Sequence, residues 1–104
     1  MTKTKVSMDN CGIETIITGE MLDNGNIKIN IESKCKSIEK MALELEEIDL
    51  SQAMQKLEDS NIFKLACKFL RHSACLVPAA VIRTLEVEAG ISLPGKSCIK
   101  TERI

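Results

Sequence analysis

Ring side chains are almost missing from this chain: it has no Trp, no Tyr and two Phe among 104 residues. Bases stack on aromatic faces and are drawn in by positive fields. A formal net charge of -1 supplies no such field, so no nucleic-acid partner is expected. No apolar run approaches the ~20 residues of a membrane span. The charged start Met1-Thr2-Lys3-Thr4-Lys5 has no apolar stretch behind it, which points to no membrane partner and a cytoplasmic location. A C-x-x-C pair is also lacking, which removes the usual zinc knuckle and the thioredoxin-type redox motif. The one histidine, His72, gives no nucleophile, base and orienting group to assemble, so the chain reads more as a binding protein than as an enzyme.

What is present suits a folded globule. The apolar content is 44%, and 104 residues fit a single domain, residues 1–104, with one modest core. Five cysteines are an odd number. In a reducing compartment they read as ligands, reactive thiols or buried small residues rather than as a disulfide framework.

Two of the five flank a hairpin whose register is set by Asp23-Asn24-Gly25. Those residues suit a three-residue loop, a type I turn through Asp and Asn followed by Gly in the left-handed region. The loop pairs Leu22 with Asn26. Counting outward, Met21 faces Ile27, Gly19 faces Ile29, Ile17 faces Ile31, Thr15 faces Ser33 and Ile13 faces Cys35. A two-residue Asn24-Gly25 turn would set Ile29 against Glu20 and mix the faces. In the preferred register Cys11 is the diagonal neighbour of Cys35 on one face, at roughly 7 to 8 Å between backbones. The first strand then runs from about Cys11 to Met21, with extended chain over Lys3 to Met8 ahead of it. In the second, Ile27, Ile29 and Ile31 alternate with Lys28, Asn30 and Glu32, so one sheet face should be wet.

After Cys35 the period becomes helical. Ile38, Met41, Ala42, Leu45 and Ile48 share one side, with Glu39, Lys40, Glu44, Glu46 and Glu47 opposite. Asp49 with Gln52 resembles a capping box opening a short helix through Leu50, Ala53, Met54 and Leu57. A third pattern, Ile62, Leu65, Ala66, Phe69 and Leu70, ends near Arg71-His72. The fourth helix has Pro78 at its start and Gly90 as its stop. Ser97 to Ile104 alternates weakly and offers a third strand carrying Cys98. The expected fold class is α+β, an antiparallel hairpin with about four helices on one face.

Cys35, between Lys34 and Lys36, precedes the helix that begins near Ser37. Cys75 precedes the Pro78 helix and follows His72 by three residues. Helix N-termini favour thiolate, so both thiols are expected to be more acidic than a free cysteine. Cys11, Cys35 and Cys75, with His72 as a further ligand, supply donors suited to zinc, another transition metal or an iron–sulfur cluster, to be held or passed to a protein partner. The same thiols support a second reading as a redox or sensor protein in which Cys35 and Cys75 react and Cys11 resolves. A third reading is an interaction module without site chemistry. Cys67, beside Ala66, and Cys98 read as packing residues. His72 also reads as a helix C-terminal cap. The acidic run from Glu44 to Asp49 reads as a solvated helix face and turn. The exposed edge of a small sheet is compatible with a homodimer.

The pieces Cys11-Gly12-Ile13, Glu32-Ser33-Lys34-Cys35 and His72-Ser73-Ala74-Cys75-Leu76-Val77-Pro78, followed by Glu86-Val87-Glu88-Ala89-Gly90, resemble a family of small uncharacterised proteins from anaerobic bacteria and archaea. The resemblance spans about Cys11 to Ile99 and groups Cys11, Cys35 and Cys75 without naming an activity. More remotely, the order of a strand ending in Cys35, a helix, Leu50-Ser51-Gln52-Ala53 and a late helix opened by Cys75 is similar to iron–sulfur scaffold proteins of the NifU type. That resemblance implies a three-cysteine cluster site. Here Lys36-Ser37 follows Cys35 where the scaffold has a small residue and often an aspartate, and Cys11 would stand in for the scaffold's middle cysteine.

Overall fold

The Asp23-Asn24-Gly25 loop takes the shape its residues dictate. The Leu22 N–H donates to the Asn26 carbonyl at 2.8 Å, the Gly25 N–H donates to the Leu22 carbonyl at 3.0 Å, and Gly25 has φ +87°. Asn24 Oδ1 accepts from the Asn26 N–H at 2.9 Å, holding the turn from inside. The structure, a computed structural model describing residues 1–104, carries that register along two strands, β2 (Ile13–Met21) and β3 (Ile27–Ser33). Met21 pairs with Ile27, Gly19 with Ile29, Ile17 with Ile31 and Thr15 with Ser33, as expected. The ladder stops there, so Ile13 and Cys35 are not a strand pair.

Two further strands complete the sheet. The segment expected to be merely extended is β1 (Thr2–Met8), antiparallel to β2 from Met8–Ile13 to Thr2–Gly19. A two-residue β4 (Glu47–Ile48) borders β3, and the strand order is β1-β2-β3-β4. The C-terminal strand expected over Ser97 to Ile104 does not form: these residues have no regular structure and all are exposed. Lys100, Glu102 and Arg103 break the apolar spacing.

Three α-helices cover one face: α1 (Lys36–Ala42), α2 (Asn61–Phe69) and α3 (Val77–Glu88). The helix expected to reach Ile48 ends at Ala42, because Ile48 enters the sheet opposite Ile27. Leu45 and Ile48 stay buried, so helical spacing there reflects burial by a turn and a strand. In place of the short helix expected after Asp49 are two 3-10 turns, Leu50–Met54 and Leu57–Asp59. Asp49 caps the first by accepting from the Ser51 N–H at 2.8 Å. Gln52 does not close a capping box; its Oε1 accepts from the Asn61 N–H at 3.1 Å. Ser60 caps α2 through Phe63 N–H at 3.3 Å. Gly90, at φ +77°, ends α3 as expected.

The core is one cluster of 14 buried apolar residues, including Ile17 and Ile27 from the sheet and Ile38, Met41, Ile62, Val81 and Leu85 from the helices. α3 lies very close to β2. A Cβ on Gly19 would sit 3.0 Å from Thr84 Cγ2, so a side chain there would crowd the helix. Thr84 is fully buried; its hydroxyl donates to the Ala80 carbonyl at 2.8 Å and lies 2.6 Å from the Thr4 hydroxyl. At the far end of α3, Glu88 accepts from the Thr2 hydroxyl at 2.7 Å and from the Met21 N–H at 2.9 Å. The opposite sheet face, with Lys3, Glu14, Glu20, Lys28 and Glu32, is exposed.

Candidate functional site

The ladder registers fix which ends of the strands lie together. β1 ends at Met8 beside Ile13, where β2 begins, and β3 ends at Ser33 beside Thr15. The start of α3 is fastened to the same end, because the Leu76 N–H donates to Met8 Sδ at 3.5 Å. Cys11, Cys35 and Cys75 therefore arrive at one end of the sheet from three separate segments.

Each is positioned differently. Cys11 is in the turn between β1 and β2, not on a strand as expected, because the chain reverses over Asp9 to Gly12 with Gly12 at φ +68°. The Gly12 N–H donates to the Met8 carbonyl at 2.9 Å, and Cys11 Sγ lies 3.8 Å from that same oxygen. Cys11 is exposed. Cys35 is the N-cap residue of α1, two residues past the end of β3, with its N–H donating to Ser33 Oγ at 3.2 Å. Ser33 is itself held by the buried Thr15 hydroxyl at 2.9 Å. The Cys35 sulfur makes no cap hydrogen bond, which leaves it available, and its residue is half-buried. Cys75 is also half-buried, immediately ahead of the α3 N-cap Leu76.

Burial pushes the Cys75 thiol above its ordinary value, against the expectation of an acidic cysteine. The Val77 N–H, at the helix end, pulls the other way, as the helix argument anticipated. Loss of water is the larger effect. Cys35 and Cys11, when charged, raise it further.

His72 is exposed in the loop between α2 and α3. It does not cap α2, whose end is closed by the Leu70 N–H donating to the Ala66 carbonyl at 2.8 Å. Cys67 and Cys98, expected to be packing residues, are both exposed. Cys67 follows the buried Ala66 by one position, which turns it out of the stripe formed by Ile62 and Ala66. Cys98 lies in the irregular tail.

Met8 was not among the residues singled out from the sequence, yet it links two of the three cysteine segments through its carbonyl and its thioether. The signal was available in its pairing position: Met8 has the same parity as the inward-facing Val6. As folded, no three His, Cys, Asp or Glu side chains stand close enough together to hold a metal ion. The donor chemistry of the three cysteines suits soft metals.

A family of unknown function, DUF6951, matches residues 2–101 of the chain. No curated protein and no solved structure matches it.

Proposed function

We propose that this chain, which belongs to the DUF6951 family, is a non-catalytic binding protein whose Cys11, Cys35 and Cys75 take up a soft transition metal or an iron–sulfur cluster and pass it to a protein partner. The observation that carries this reading is the arrival of three free thiols from separate segments at one end of the sheet, where Cys35 and Cys11 oppose the ionisation of Cys75 by charge repulsion. A bound cation reverses that repulsion, since thiolates that resist ionising together are stabilised together around a positive centre. In this reading half-buried Cys35 and Cys75 are the inner ligands and exposed Cys11 the outer one. His72, three residues ahead of Cys75, is the further ligand in this reading.

Such a site is built for exchange. One of its sulfurs is on an exposed turn, where a partner's thiol has access, whereas a structural zinc site is closed on all sides. The experiment is metal analysis and visible absorption of protein purified without oxygen, before and after reconstitution with iron and sulfide or with zinc. Bound metal is expected, and it should be lost when Cys11, Cys35 and Cys75 are replaced together by serine. Colourless wild-type protein that retains neither iron nor zinc after reconstitution would sink this reading.

A further inference from the structure

A concavity away from the cysteines is formed between the open edge of β1 and α3, with residues Pro94 to Ile99 as its outer wall. Its volume is 630 Å³, within the range of ligand-binding clefts. The floor is the outer border of β1 from Thr2 to Ser7. β1 is the terminal strand, so its outward N–H and C=O groups have no neighbouring strand. The α3 side carries Arg83, whose Nε is buried without a hydrogen-bond partner. Four basic residues, Lys3, Lys5, Arg83 and Lys96, line this groove against one acidic residue, Glu86. Lys5 is paired at 3.3 Å with Glu14 on the open sheet face.

We infer that this groove is a receptor for an extended acidic segment of a partner protein, which adds a strand to the free edge of β1 and delivers a carboxylate to Arg83. Strand addition satisfies the backbone groups of β1 and leaves side chains alternating between the two faces. Those on the helix side meet Arg83. Those on the other side lie beside Lys3 and Lys5, where opposite charges across neighbouring strands are favourable. A second copy of this chain fits poorly. In a two-fold antiparallel pairing of β1 with itself that keeps the faces aligned, Lys3 and Lys5 meet the same lysines of the other copy, which repel.

The test uses two fluorescent peptides of seven residues, the length of β1, one alternating glutamate with threonine and the other lysine with threonine. Anisotropy should show binding of the glutamate peptide only, weakening with added salt. Arg83→Met should weaken it by about tenfold, the scale of one charge-assisted hydrogen bond. The exposed Lys3→Glu should also weaken it, and circular dichroism of both variants checks that the fold is kept. If Arg83→Met unfolds, Lys3→Glu decides. Amide exchange should slow across β1 when the glutamate peptide is bound. Equal binding of both peptides, no binding of the glutamate peptide, a change in exchange elsewhere than β1, or a dimer that protects β1 without peptide would each overturn the proposal.

Discussion

Replacing Glu88 with Gln tests how the sheet is tied to the end of α3. The carboxylate accepts two hydrogen bonds from different strands, one from the Thr2 hydroxyl and one from the Met21 N–H, and its side chain is 11% exposed. The amine of Met1 adds a weaker contact at 3.5 Å. An amide keeps one accepting oxygen and presents a donor where the other stood. One charge-assisted bond is lost and the other weakened, at a cost of about 2 kcal/mol. For a chain of this size that lowers the melting temperature by roughly 10 °C.

The dependence on pH identifies the cause. The Thr2 hydroxyl, chiefly, holds the Glu88 carboxyl below its ordinary value, with smaller help from the Met21 N–H and the Met1 amine, against desolvation. A carboxylate with a lowered folded-state pKa stabilises fully above the unfolded pKa, about 4.3 for Glu, and that contribution is lost as pH falls through the lower folded value. Urea melts of Glu88→Gln and the parent should therefore differ most near neutrality and converge in acid. Glu47 and Asp49 are also lowered, by Asn24 and by Ser51 respectively, but they are common to both proteins and cancel in the difference. A gap of the same size at pH 3 as at pH 7 would show that shape rather than charge is responsible.

Gly19→Ala should destabilise by about 1 to 3 kcal/mol, because its methyl would meet a Thr84 side chain held by Thr4 and Ala80. Adding Thr84→Ser, which removes the opposing methyl, should recover much of that loss in denaturant melts; no recovery would place the conflict elsewhere. Ser60→Ala removes the α2 cap and should cost about 1 kcal/mol, read as a lower urea midpoint with an unchanged slope. With iodoacetamide at neutral pH, Cys75 should label more slowly than the exposed Cys67 and Cys98, and its rate should rise only at pH above the usual thiol range. Fast labelling of Cys75 at neutral pH would contradict the dominance of burial over the helix end.

The hairpin was legible because two independent signals agree in it: a loop whose glycine demands a left-handed backbone, and isoleucines that alternate on both sides of it. β1 was harder to read. Its inward residues are Thr2, Thr4, Val6 and Met8, and the threonines face α3 only because Thr84 and Glu88 receive them. α1 was read too long because Leu45 and Ile48 continue a helical spacing by coincidence, and that spacing cannot distinguish a helix from a chain that turns back to the sheet. The grouping of Cys11 and Cys35 rested on a correct register carried past the end of the ladder. Cys75 joined them through the Leu76 to Met8 contact, a tertiary bond between residues far apart in sequence. The raised Cys75 thiol was invisible for the same reason, since its burial depends on elements packed from elsewhere.

The meeting of Cys11, Cys35 and Cys75 has a kinetic meaning as well as a chemical one. Their segments are joined only after β1, β3 and the start of α3 have docked, so loop closure must be completed before the three cysteines share one end of the sheet. In the unfolded chain they are dispersed, and capture of a thiol ligand there is no easier for this trio than for Cys67 or Cys98. The assembled end is thus a late product of folding. The 14-residue core contains none of the three cysteines, although Cys35 and Cys75 pack against it, so the architecture rests on other side chains.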